Sequence, residues 1–155
     1  MQGAGNNERS FELKANKKSL KTRLKNKEVT IGSWLTLGHT SVAEIMTKFG
    51  FDWLTVDMEH SAITLSETQK LIQVIELSGT TPLVRVGEND AALIKRAMDA
   101  GAYGAIVPMI NTPQDAEKAV SAVKYPPLGK RGVGLARAQG YGLEFDRYKK
   151  WVNKE

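Results

Sequence analysis

Four short runs rich in apolar and β-branched residues begin near residues 30, 53, 82 and 104, and a stretch with helical periodicity follows each one. Strands alternating with helices at this spacing imply right-handed βαβ crossovers and a parallel sheet. The expected units are a strand Val29 to Leu35 with helix Val42–Lys48, and a strand Asp52 to Val56 with helix Leu65–Leu77. Then come Pro82 to Val86 with helix Ala91–Ala100 capped by Asn89, and Tyr103 to Val107 with a helix through Val123. The last of these helices has Thr112 as its N-cap and Pro113 at its first position, where the missing N–H is not needed. Gly50, Gly79 and Gly101 stand just past three of the helices, where a left-handed residue closes the last turn. The strand cores WLTV, PLVRV and GAIVP are continuous rather than alternating, as expected for strands covered on both faces.

A doubly wound sheet can begin in the same way, but it normally places a glycine-rich phosphate loop after its first strand. Here that position reads LTLGHTS, which lacks the pattern. The expected fold is therefore α/β, the N-terminal half of a (β/α)8 barrel with about four βα units. Residues 1–13 are expected to be a disordered leader and 14–155 the half-barrel. Leu13, Leu20 and Leu24 suggest a short helix ending near Asn26, residues 125–142 a long Gly/Pro-rich loop, and Phe145–Val152 a final helix.

Composition narrows the function classes. The chain has no cysteine, which removes disulfides, thiolate metal sites and thiol nucleophiles. It has no run near the roughly 20 apolar residues a membrane span needs. It also lacks the apolar core of a signal peptide, so a cytoplasmic location is expected. The net charge of +5 is local: residues 1–27 carry eight basic and two acidic groups, leaving the remainder at −1. The basic segment has no interleaved aromatics, so neither nucleic acid nor membrane is the expected partner.

In parallel barrels chemistry gathers at the C-terminal ends of the strands. Those ends here present Trp34 to His39, then Asp57-Met58-Glu59-His60, then Arg85, then Pro108-Met109. A carboxylate close to an imidazole fixes its tautomer and raises its basicity, which makes His60 a candidate general base. Arg85 on the next strand is placed to stabilise a carboxylate or enolate oxygen. The bland alternatives are that Asp57 caps a helix, Glu59 is solvated, and Arg85 only pairs with one of them.

The runs GFDWLTVDMEHS (50–61), PLVRVGEND (82–90), AIVPMINTPQDAEKAV (105–120) and YPPLGKRGVGLARA (125–138) resemble, in order, the HpcH/HpaI aldolase family of class II pyruvate aldolases. The resemblance covers roughly residues 18–152. It implies a barrel of the phosphoenolpyruvate/pyruvate type. It also implies that His60 is the acid–base histidine, Asp57 the aspartate orienting it, and Arg85 the arginine holding the pyruvate carbonyl oxygen and its enolate. Trp34 then lines the pocket and Glu59 supports the D-x-E-H run. The RGVG segment (131–134) and Arg137 fall in a loop after strand four that forms a pocket wall. His39 has no family role.

The resemblance further implies a divalent cofactor, Mg²⁺ or Mn²⁺, held by a glutamate and an aspartate expected beyond residue 155, so that no metal ligand is expected within the chain. Glu144 and Asp146 lie near the right place but in a helix-like stretch. The implied reaction is cleavage of a 4-hydroxy-2-oxo acid to pyruvate and an aldehyde, by a homo-oligomer that is hexameric in the family. Two alternatives stay open: a citryl- or malyl-CoA-type lyase of the same superfamily, and a non-catalytic truncated fragment.

Overall fold

The computed structural model describes residues 19–155. The expected leader and the Leu13 end of the first helix lie outside them. The described chain runs α1 (Leu20–Lys25), β1 (Gly32–Leu35), α2 (Thr40–Thr47), β2 (Trp53–Asp57), α3 (Leu65–Leu77), β3 (Thr81–Arg85), α4 (Ala91–Asp99), β4 (Gly104–Ile106), α5 (Pro113–Val123), irregular turns over Arg137–Gly142, and α6 (Phe145–Lys154). The strands form one parallel sheet in the order β1-β2-β3-β4. The α/β architecture and its alternation are those expected. Among the described residues, no helix is long and apolar enough to cross a membrane.

Local chemistry explains where the helices start. Thr64 and Glu67 form a reciprocal capping box on α3, and Thr112 and Asp115 form another on α5, with Pro113 at its first turn. Gly50, Gly79 and Gly101 adopt φ of 77°, 82° and 109°, the left-handed closure their positions predict. The cap of α4 is Asp90 rather than Asn89. Asp90 stands one residue nearer the helix, so its carboxylate accepts the N–H groups of Ala92 (2.9 Å) and Leu93 (2.8 Å). Asn89 instead donates to the Asp115 carbonyl at 2.9 Å, tying the start of α4 to the start of α5. His39 caps α2, its Nδ1 accepting from the Ser41 N–H at 3.2 Å.

Strand register fixes which residues share a face. Leu35, Val56, Val84 and Ala105 are successive partners across the sheet. That face packs against Leu71, Ile72 and Ile75 of α3 and Ile94, Ala97 and Met98 of α4, all fully buried. Each Leu, Ile or Met among them contributes about 1.5–3 kcal/mol of burial free energy. The other face carries Trp34, Thr55 and Leu83 in one row and Asp57, Arg85 and Ile106 in the next. It is less completely covered than its apolar runs suggest, and Trp34 is 42% exposed. Gly32 is required there, because a Cβ would fall about 2.0 Å from the Trp53 ring.

The Gly/Pro-rich loop is a packed structure. Tyr125 is buried and its hydroxyl accepts from Gln139 at 2.7 Å. The Arg131 guanidinium lies over the Tyr125 and Tyr148 rings and pairs with Asp99 at 2.6 Å. Arg137 pairs with Glu76 and reaches the Ala100 carbonyl. Both of these partners lie at the C-terminal ends of their helices, which in a βα repeat is the end of the sheet where the strands begin.

Candidate active site

The turn after β2 is built around one carboxylate. Asp57 is the last residue of β2 and 1% exposed. Its Oδ1 accepts the backbone N–H groups of Glu59 (3.0 Å) and His60 (3.2 Å), a local closure that aspartate makes readily. The Ser61 hydroxyl donates to the Asp57 carbonyl and completes the turn. The sequence D-M-E-H-S thus curls back on its first residue, and Glu59 and His60 are held at the C-terminal end of the sheet.

Arg85 ends β3 directly beside Asp57 in the parallel register. Its guanidinium engages the carboxylate in a two-point fork, Nε to Oδ1 at 2.9 Å and Nη2 to Oδ2 at 2.6 Å. Glu59 adds a second carboxylate, with Oε2 3.3 Å from Nε. The Arg85 hydrogen bonds hold the Asp57 carboxyl down at about 2, outweighing its burial, with help from the two backbone donors. The same bonds raise the Arg85 pKa above its ordinary value. The Trp34 ring lies under the guanidinium, 4.6 Å from ring centroid to Cζ, a stacking geometry suited to arginine. Arg85 is therefore a fixed cation gripped on one edge and one face. Nη1 is left without a carboxylate partner among the described residues.

His60 stands beside this cluster with its side chain 68% exposed and Nε2 3.6 Å from Glu59 Oε1. Asp57 holds the backbone of His60, and the carboxylate that faces the imidazole is that of Glu59. The structure thus brings together all five residues singled out in the sequence: Trp34, Asp57, Glu59, His60 and Arg85. It leaves others apart. His39 is a helix cap, Arg137 sits at the opposite end of the sheet with Glu76, and Arg131 of RGVG is buried against Asp99. Glu144 pairs with Arg147 at the start of α6. Within this chain the 131–138 segment does not wall the mouth. Met109, which the sequence marks only as part of the fourth strand end, holds φ of 55° just past β4 and is 78% exposed.

The donor set does not by itself fit a divalent ion. Among the described residues no three His, Cys, Asp or Glu side chains converge as metal ligands. Both Asp57 oxygens are also occupied by Arg85. What the cluster offers is a preorganised cation beside an accessible imidazole, the pairing that proton transfer next to a developing oxyanion requires.

A parallel βα array with such groups at the strand C-termini defines an enzyme-like barrel mouth. The chain belongs to the HpcH/HpaI aldolase/citrate lyase family, whose pattern matches residues 30–152. It is 44% identical over 120 residues to a 2-dehydro-3,6-dideoxy-6-sulfogluconate aldolase of Pseudomonas putida, covering 77% of this chain and 47% of that one. It is 41% identical over 127 residues to a hydroxypyruvate/pyruvate aldolase of Sagittula stellata, covering 81% of this chain and 50% of that one. Among solved structures, an HpcH/HpaI aldolase/citrate lyase family protein from Burkholderia cenocepacia superposes with a TM-score of 0.81 at 36% identity, over 89% of this chain and 56% of that one. The chain spans about half the length of the curated relatives it matches.

Proposed function

We propose that the protein of which this chain forms the described part is a carbon–carbon lyase that cleaves a 4-hydroxy-2-oxo acid to pyruvate and an aldehyde. The observation that carries the reading is the Arg85 cation, clamped by Asp57, Glu59 and Trp34 beside the exposed imidazole of His60. Relatives named as aldolases support the reaction class. The divalent ion is proposed to be held by residues beyond this chain, and no step below runs through it.

In this reading the substrate's 2-oxo oxygen lies against the Arg85 guanidinium. His60, directly or through a water, takes the proton of the C4 hydroxyl. The C3–C4 bond breaks as the C4 oxygen becomes the aldehyde carbonyl. The bonding pair passes into the C2–C3 bond and onto the C2 oxygen, forming an enolate opposite Arg85. Protonated His60 then returns the proton to C3, giving pyruvate. Glu59 steadies the imidazolium between these events, and Asp57 keeps Arg85 from turning away. The charge on Arg85 is worth most in the enolate-like transition state, where the oxygen is most negative.

The test is pyruvate release from a 4-hydroxy-2-oxo acid by the complete protein, with Mg²⁺ or Mn²⁺ added. Metal-stimulated release that is lost in Arg85→Lys is expected. A complete protein that releases no pyruvate from a panel of such acids, with either ion, removes the proposal.

A further inference from the structure

A groove of about 620 Å³ runs between α4 and α5, from their first turns at Ala91 and Gln114 to the loop at Lys130 and Arg131. Its lining contains Lys95 from α4, Lys118 from α5, and Lys130 and Arg131 from the loop, against one acid, Glu117. With Arg131 already paired to Asp99, the three lysines against Glu117 leave a local excess of two positive charges, although residues 28–155 as a whole carry a net −1. None of the three lysines forms a salt bridge among the described residues. Lys118 only senses Asp115 electrostatically. Unpaired like charges gathered on one wall repel one another, so the arrangement is relieved by an anion between them.

A second observation is independent of the lysines. Arg131 is 2% exposed, and its Nη groups are committed to Asp99 (2.6 Å), Tyr148 (3.0 Å) and the Val123 carbonyl (3.3 Å). Its Nε has no hydrogen-bond partner. A buried donor left without an acceptor is costly, and Arg131 is itself one of the residues lining the groove. Ser121 and Gln114 add neutral hydrogen-bonding groups to the same wall.

We propose that this groove binds phosphate, either as the inorganic ion or as the phosphate group of a small metabolite. A tetrahedral dianion presents acceptors in several directions at once, which suits cations arriving from two helices and a loop. The site is distinct from the barrel mouth, since none of the five mouth residues lines it. Occupancy would brace α4 against α5, whose starts are already linked by the hydrogen bond that the Asn89 side chain donates to the Asp115 carbonyl.

The experiment titrates the full protein with inorganic phosphate and, separately, with glycerol 3-phosphate, by calorimetry and by ³¹P NMR. Each titration is repeated on the double variant Lys95→Gln/Lys130→Gln, on Lys118→Gln, and on a control pair outside the groove, Lys48→Gln/Lys70→Gln. Circular dichroism and melting establish that each variant is folded. Saturable binding is expected, weakened on the order of tenfold or more in the double variant, where each factor of ten corresponds to about 1.4 kcal/mol. A smaller loss is expected in Lys118→Gln and none in the control. Tighter binding of glycerol 3-phosphate identifies a phosphorylated metabolite as the ligand, and equal or weaker binding identifies the free ion. Absence of saturable binding by both, or equal weakening in the groove and control variants, overturns the proposal.

Discussion

Two arginines in this chain meet the same two kinds of partner in very different surroundings. Arg85 and Arg131 each pair with an aspartate at 2.6 Å and each lie against an aromatic ring. Arg131 is sealed between α4, α6 and the loop, its side chain 0% exposed, with Tyr125, Tyr148 and Gln139 closing the surroundings. Arg85 keeps 23% side-chain exposure and stands beside an imidazole that is largely in solvent. Composition does not separate a sealed clamp from the clamp at the candidate mouth. Strand position and coverage do, since the ends of β2 and β3 are where the chain leaves polar groups accessible.

The comparison makes opposed predictions, the largest being for chemistry. In the complete protein His60→Ala is expected to lower kcat by about 10²–10⁴-fold, the usual contribution of a general acid–base group. Its melting temperature should change little, because the side chain is mostly exposed. Substrate affinity should move less than turnover if the role is exercised in the transition state. Steady-state kinetics with a melting curve checks both halves. Turnover near that of the unaltered enzyme would take His60 out of the mechanism.

Arg131→Leu should do the reverse. Removing one partner of a buried pair leaves Asp99 uncompensated, a loss of about 3–5 kcal/mol. Denaturant unfolding of the full protein should show it directly. If the variant folds at all, its activity per folded molecule should be largely kept, because Arg131 is not among the mouth residues. An Arg131→Leu protein as stable as the parent would mean that the seal around Tyr125 and Gln139 carries little of the fold.

The two regions also differ in how much of them the sequence disclosed. The strand and helix alternation and three glycine closures were legible because apolar periodicity and positive-φ turns are local signals. The five mouth residues were legible as a set, because Asp57, Glu59, His60 and Arg85 stand at or just past the ends of apolar strand runs and Trp34 lies within one. Their contacts were not. Whether Arg85 grips Asp57 alone or Glu59 as well depends on the β2–β3 register, which no local pattern encodes. The same holds for the Glu59 carboxylate, rather than Asp57, facing His60. Asn89 and Asp90 are both good caps, and only the start of α4 decides between them. Residues 125–142 read as a loop because glycine and proline dominate their composition, while the buried Arg131 and Gln139 within it depend on packing against distant α4 and α6.

Acid should expose the electrostatic side of the mouth. The Asp57 carboxyl is lowered from 3.8 to about 2, so its pairing contributes fully above the unfolded value near 3.8 and is lost as pH falls through about 2. Urea midpoints measured from pH 5 to pH 2 should therefore fall in part through this group. Asp57→Asn starts from a lower midpoint, and its acid limb should be shallower. Parallel limbs for the two proteins would show that the Arg85 fork adds no pH-dependent stability.

The smallest expected effect concerns Met109, whose backbone holds a conformation that L residues adopt at a cost. A residue in the left-handed region with a Cβ forfeits about 1–2 kcal/mol, a penalty that glycine escapes. Glycine also gains freedom in the unfolded chain, which returns roughly 0.4–1 kcal/mol of that benefit. With the side chain 78% exposed, little packing is lost by removing it. Met109→Gly should thus raise stability by no more than about 1 kcal/mol, whereas Met109→Val, β-branched at the same φ of 55°, should lower it. Paired thermal melts read the sign of each change. Equal destabilisation by both substitutions would mean that the Met109 side chain, and not its backbone, is what the mouth needs at the end of β4.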